Sequence, residues 1–179
     1  MAQSRRGHQQ VRHVTVAVEP RWLSPAEREA WLGLIGVVEL LPGALDGQLQ
    51  RDAGVSHFEY MVLAMLSEAP DHTLRMTALA AQTNSTLPRL SHVVTRLVNR
   101  GFVERIPCPQ DKRATNAHLT DAGWQHIQAS APGHVAAARE LVINSLSAAQ
   151  IEQLRDISTS ILGRLDPTQR VNQEPDDST

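Results

Sequence analysis

The sequence predicts a mainly α chain of the α+β class, on three observations. Of 179 residues 41% are hydrophobic but only 3% are aromatic, and Val, Ile and Thr do not gather into long alternating runs, which argues against a β-sandwich. Apolar residues instead recur at spacings of three and four through long stretches near both ends. Between those stretches, Leu74 to Thr120 carries two short helical patterns split by a polar turn, a glycine stop, and two strand-like runs around a Pro-Gln-Asp-Lys-Arg turn. That order is a helix-turn-helix followed by a small β-wing, flanked by long N- and C-terminal helices.

Each element has a local cause. Residues 1–20 show no helical period beyond a short Val14–Val18 run and read as a flexible N-terminal arm. Ser24-Pro25-Ala26-Glu27 supplies an N-cap, a first-turn proline and a capping-box glutamate. Trp31, Leu34, Ile35, Val38, Leu41, Leu45 and Leu49 then form one stripe, with a kink or a break expected at Pro42-Gly43. After Gly54, Ser56 and Glu59 make a second capping box, and Phe58, Met61, Val62, Met65 and Leu66 give the next buried face. Ala69-Pro70-Asp71 stops that helix, and Leu74-Arg75-Met76 reads as a strand that pairs with the wing.

Thr77 is expected to cap a brief helix over Ala78–Ala81, and Asn84-Ser85 to make the turn. The next helix starts near Thr86, tolerates Pro88 in its first turn, buries Leu90, Val93, Val94 and Leu97, and ends at a left-handed Gly101. Strands are expected over Phe102–Ile106 and Ala117–Leu119. Thr120 to Gly123 starts another helix, Pro132-Gly133 is expected to break or bend it, and Ser147 caps the last one. There Ile151, Leu154, Ile157, Ile161, Leu162 and Leu165 form a stripe with no evident partner in the chain, and residues 166–179 read as a disordered acidic tail.

Charge placement points to a function. Leu74 to Thr120 holds seven basic and two acidic residues, a net of +5, which leaves −7 for the rest of a chain whose total is −2. A positive segment in an acidic protein is the footprint of a phosphate-contacting surface. The one cysteine, Cys108, excludes an internal disulfide framework. The apolar runs are expected to fall short of the roughly 18 residues of a membrane span, and the polar N-terminus does not resemble a signal peptide, so a cytoplasmic protein with no membrane partner is expected. Without a Gly-rich phosphate loop, a nucleophile motif or a ligand-spaced His/Cys set, neither an enzyme nor a metal or other cofactor is expected, although His57 and His126 are free to converge in space. Side chains at the start of the Thr86 helix enter a major groove first: Ser85, Thr86, Pro88, Arg89, Ser91 and His92 are the expected DNA contacts, with Arg89 suited to guanine and Arg96 and Lys112 to phosphate.

Two motifs are more specific. Pro107-Cys108-Pro109-Gln110-Asp111-Lys112-Arg113 and His118-Leu119-Thr120-Asp121-Ala122-Gly123 resemble the Asp-x-Arg wing and Leu-Thr-x-x-Gly helix start of the MarR family of winged helix-turn-helix transcriptional regulators, and the resemblance covers roughly residues 30–165. It implies a homodimer on a near-palindromic operator in double-stranded DNA, most commonly a repressor, with a domain over residues 21–165 made of a reader (56–120) and dimerisation helices (24–53 and 121–165). It implies that Arg113 enters the minor groove, oriented by an ion pair from Asp111, and that a small aromatic or phenolic effector relieves binding. Trp22, Trp31, His57, Met61 and Trp124 are the residues suited to line an effector cleft. A winged-helix module for protein partners, and a metal- or redox-responsive regulator using Cys108, are the alternative readings.

Overall fold

The computed structural model describes residues 20–109, 111 and 113–166. The readings of an N-terminal arm and an acidic tail lie outside these, except for Pro20 and Asp166. The chain falls into two compact units, Met1–Gly36 and Val37–Thr179. In order the elements are α1 (Pro25–Ala53), α2 (His57–Glu68), β1 (Thr73–Arg75), α3 (Met76–Gln82), α4 (Leu87–Asn99), β2 (Val103–Pro107), β3 (Thr115–Leu119), α5 (Asp121–Leu141) and α6 (Ala148–Leu165), with short 3-10 turns at Pro70–His72 and Ile143–Ser145. The fold is the expected one, mostly helical with a small antiparallel sheet.

In the first unit, Ser24 Oγ accepts from the Glu27 amide at 3.3 Å and Glu27 Oε2 accepts from the Ser24 amide at 2.7 Å, which fixes the start of α1. Trp22, Leu23, Trp31 and Leu32 are exposed. The helix continues into the second unit without a break at Pro42, which therefore does not divide it into two abutting helices. The fixed φ of proline is helical, and the loss of one amide donor is outweighed by the bonds on either side. Pro132 lies inside α5 in the same way, so the expected break there is also absent. A further correction concerns apolar length: α1 is long and apolar enough, by length and composition, to cross a membrane, because Glu39 interrupts the run without lowering its average much.

The second unit is built round one core. Leu49 from α1, Val62, Leu63 and Leu66 from α2, Leu79 from α3, and Leu90, Val94 and Leu97 from α4 are fully buried. Each such side chain contributes about 1.5–3 kcal/mol of burial. Val103, Ala117 and Leu119 bring the sheet onto the same core. The strand order is β1-β3-β2, all antiparallel, with Leu74 opposite Ala117 and Arg105 also opposite Ala117 on the other side. As expected, α2 begins with a reciprocal capping box at Ser56 and α6 is capped by Ser147, where the structure adds a reciprocal bond with Gln150. Thr77, in contrast, lies inside α3, which starts at Met76 directly from β1 with no side-chain cap. Gly101 has φ +75°, as expected of the residue that ends α4.

The junction of the sheet with α5 depends on Gly123. Thr120 Oγ1 accepts from the Gly123 amide at 3.1 Å and donates to the Gly101 carbonyl at 2.7 Å. This draws Gly123 so close to the Phe102 carbonyl that a Cβ would collide with backbone. The Leu-Thr-x-x-Gly sequence is thus a close-approach site, where only a missing side chain lets α5 leave the sheet.

Three half-buried histidines sit where α5 meets the rest of this unit. The His57 amide donates to Asp46 Oδ1 at 2.8 Å, the His57 and His134 ring centroids are 5.9 Å apart, and Tyr60 lies 4.3 Å from His134. His126 stacks on Phe102 at 4.4 Å, so His57 and His126 have separate surroundings and do not converge. Among the described residues, no group of three or more His, Cys, Asp or Glu is placed to hold a metal ion. Burial pushes all three histidines below the usual imidazole range; Asp46 partly offsets this at His57, whereas Arg100 adds to it at His126 and His57 adds to it at His134. The fold therefore favours their neutral forms, so the stability they contribute is present above a pH of about 6.5 and is lost as the pH falls through the lower folded values. The urea midpoint is expected to drop between about pH 7 and pH 5. His134→Phe, which keeps the ring contact and removes one titrating group, should flatten that slope.

Candidate nucleic-acid interface

The exposed side of α4 exists because its other side is completely used. Leu90, Val93, Val94 and Leu97 are all buried, and their i, i+3, i+4, i+7 spacing leaves Arg89, His92, Arg96 and Asn99 outward. Thr86 is the N-cap in extended backbone, but its side chain caps no amide. Pro88 stands in the first turn, where its missing N–H costs nothing. The first amides of α4 thus have no side-chain acceptor, at the end where the helix dipole favours an anion. Half-buried Ser85 donates from Oγ to the Thr86 carbonyl at 3.2 Å.

The basic residues divide by what they touch. Arg89 is exposed, with its guanidinium 4.5 Å from the Phe58 ring centroid, a cation–π contact that steadies it above α2. His92 is exposed. Arg96, expected to contact phosphate, also ties two helices together: its Nε donates to Glu59 Oε1 at 3.0 Å while the side chain stays half exposed. The glutamate is already fixed because its other oxygen accepts from the Ser56 amide at 2.9 Å. Burial pushes the Glu59 carboxyl upward, yet the hydrogen bonds from Ser56 and Arg96 outweigh this and hold it below the usual range. Arg100 is also structural, donating to the Gly54 carbonyl at 2.9 Å and lying over Phe102.

On the wing, Arg113 is exposed and Lys112 lies outside the described residues. Asp111 does not pair with the Arg113 guanidinium as expected; its Oδ1 accepts from the Arg113 backbone amide at 3.0 Å. The carboxylate is two residues from that amide, the geometry of an Asx turn, so it shapes the backbone of the tip. Cys108, at the base of the wing, is buried and accepts from Arg75 Nη2 at 3.4 Å. A cleft of ≈ 400 Å³ opens between the wing and α4, lined by Arg75, Ser91, Arg105, Asp111, Arg113 and Thr115 among others. Arg75 and Arg113 against Asp111 leave its rim net positive, while the Arg105 guanidinium is engaged by Ser91 and Thr95.

A profile of the MarR family matches residues 55–115. Sco3205, a MarR family transcriptional regulator from Streptomyces coelicolor solved in complex with DNA, is similar with a TM-score of 0.80 and 44% identity over 84% of this chain and 94% of that one. The chain belongs to the MarR family. AbsC, another MarR family regulator from Streptomyces coelicolor, is similar with a TM-score of 0.78 and 34% identity over 82% of this chain and 98% of that one. The Bacillus subtilis repressor YetL is 33% identical over 81 residues, 45% of this chain; the match spans about half of YetL, 48% of its length. These MarR relatives are named as transcriptional regulators, not enzymes.

Two residues of this MarR interface were not singled out from the sequence, Arg75 and Arg105. A signal was present for Arg105: two residues after buried Val103, strand alternation puts it on the same side of β2, and although exposed its long side chain reaches acceptors on α4. It finds them on Ser91, which was read as a DNA contact and is instead half-buried against the wing. The residues read as an effector cleft are scattered in their roles. Trp22 is 83% exposed and Trp31 is exposed in the first unit. In the second unit His57 meets His134, Met61 is half-buried, and Trp124 stacks on His72 at 4.7 Å while packing on the core. None of the five lines the wing cleft.

Because Arg96 satisfies a nearly buried carboxylate but is itself half exposed, Arg96→Ala should cost about 1–2 kcal/mol in urea denaturation near neutral pH. Glu59 is ionised above its lowered range, so the deficit should shrink as acid protonates it.

Proposed function

We propose that this protein is a sequence-specific transcriptional repressor that binds a near-palindromic operator in double-stranded DNA as a homodimer inside the cell. The observation that carries the reading is the joint geometry of α4 and the wing. A helix held wholly by its apolar side presents an uncapped N-terminus, Thr86, Pro88, Arg89 and His92, beside a wing that carries Arg113. The DNA-bound state of Sco3205, at 44% identity, supports the same use of this scaffold. Arg89 reads base edges in the major groove, Arg113 enters the minor groove, and Ser85, Lys112 and the outer nitrogens of Arg96 meet phosphate. Asp111 serves by shaping the wing tip.

Residues 56–120 are the reader, and 24–53 with 121–165 are the dimerisation segments. Support comes from apolar surface that the single chain leaves uncovered: Leu40 on α1, and Ile157 and Leu165 on α6, are 75%, 57% and 73% exposed. Side chains of this kind at helical spacing call for a partner helix. A two-fold pair would set the two readers about one DNA turn, roughly 34 Å, apart. The same partner accounts for the apolar length of α1 without a membrane. Relief by a small aromatic or phenolic effector, acting on that spacing, follows from the MarR resemblance.

Fluorescence anisotropy against the protein's own upstream DNA should show affinity falling steeply with salt. Arg113→Ala should lower the salt slope by about 0.9, one phosphate-scale charge. Arg89→Ala should cost about tenfold or more on the preferred sequence and little on random duplex. Binding that ignores salt and survives both changes together would rule out the reading. Light scattering on a sizing column should give twice the chain mass, and charged substitutions at Ile157 and Leu165 should shift it toward one chain; a monomeric wild type would refute the dimer.

A further inference from the structure

From the bonds of Arg105 we infer that it is a positioning residue, one that fixes the angle between wing and recognition helix and so sets the register between major-groove and minor-groove contacts. The inference rests on the DNA-binding reading above. Arg105 sits in the middle of β2, yet its Nη2 reaches α4, donating to the Ser91 carbonyl at 2.7 Å, Thr95 Oγ1 at 3.0 Å and Ser91 Oγ at 3.1 Å. The Thr95 hydroxyl donates its own proton to the Ser91 carbonyl at 2.9 Å. Its proton is thus used within α4, and its lone pairs are left to accept from Arg105. Strand, guanidinium and helix thus share one small network.

The placement of that network gives it a consequence. Val103 anchors the root of β2 in the core, whereas Glu104 and Pro107 are exposed and Ile106 is only half-buried. Arg105 is therefore a polar tie from β2 to α4 beyond the strand's apolar anchor. Its partner across the sheet, Ala117, has only a methyl group, which leaves room for the long side chain to turn toward α4. Arg105 and Arg113 of the wing line one cleft with Ser91 of α4, and Ser91 stands two residues along the helix from Arg89. If the tie is lost, both contacts persist chemically but no longer arrive together, and a pair of groove contacts pays only when both are in register.

A charge that positions and a charge that touches phosphate differ in a measurable way. Removing a phosphate contact weakens all sequences alike and lowers the salt slope by about 0.9, whereas removing a positioning tie lowers discrimination and leaves the slope unchanged. The probes are a duplex enriched from a random library by the full-length wild-type protein, and the unselected library itself. Arg105→Met and Thr95→Val should each reduce the ratio of affinities for the two probes, by about tenfold for Arg105→Met. Neither should alter the salt slope, and the double variant should lose less than the product of the two effects. Thr95→Val changes no charge and stands alone if Arg105→Met fails to fold. A slope lowered by about 0.9 with Thr95→Val silent would make Arg105 a plain phosphate contact and overturn the inference. So would an unchanged ratio in both variants. If the wild type enriches no duplex, the DNA-binding reading falls first, and the positioning role falls with it.

Discussion

Leu90, Val93, Val94 and Leu97 seat α4 against α2 and α3, and the rest of the interface is built on that seat. A groove-reading helix gains nothing from the protein on the side it offers to DNA, so the apolar side must supply its hold. Four buried aliphatic side chains at about 1.5–3 kcal/mol each are enough to do so. The polar face is then left outward, so that Arg89 and His92 at its start remain exposed, while Arg96, further along the helix, satisfies Glu59.

The same constraint explains how the arginines are divided. Burial of the Glu59 carboxylate at the α2 cap creates a demand that Arg96 meets, and Arg100 is engaged at the surface by the exposed Gly54 carbonyl. Arg105 answers a comparable demand from Ser91 and Thr95. What remains for phosphate among the described residues is a smaller set than the sequence total implied, gathered around the cleft by β1, α4 and the wing. Field strength there comes from convergence of a few charges, which fits a protein of net charge −2.

Away from the interface, Gly123 and the half-buried histidines govern how α5 leaves the reader. The glycine permits a backbone approach that any side chain would block, so the direction of α5 is set at its first turn. His57, Tyr60 and His134 then connect α2 to the middle of α5 through ring contacts instead of a dense aliphatic core. A junction of that kind is held by few interactions and responds to protonation. It lies between the reader and the segment assigned to dimerisation.

Periodicity, caps and turn residues determined most of the secondary structure. The stripes, the capping boxes at Ser24 and Ser56, the cap at Ser147, the stop at Gly101 and the buried face of α4 were all legible, because each is fixed by residues within a few positions of one another. Of the two outcomes expected at prolines 42 and 132, the break did not occur, since local cost does not say whether neighbouring turns can absorb it. Thr77 misled because the chain passes from β1 into α3 without a cap residue. The fates of individual polar side chains were decided only in three dimensions. Arg96, Ser91, Asp111 and Arg105 each found partners 2 to 37 residues away in sequence. Such pairings depend on which unsatisfied group lies within hydrogen-bond reach after the core has closed, and sequence spacing carries no record of that distance.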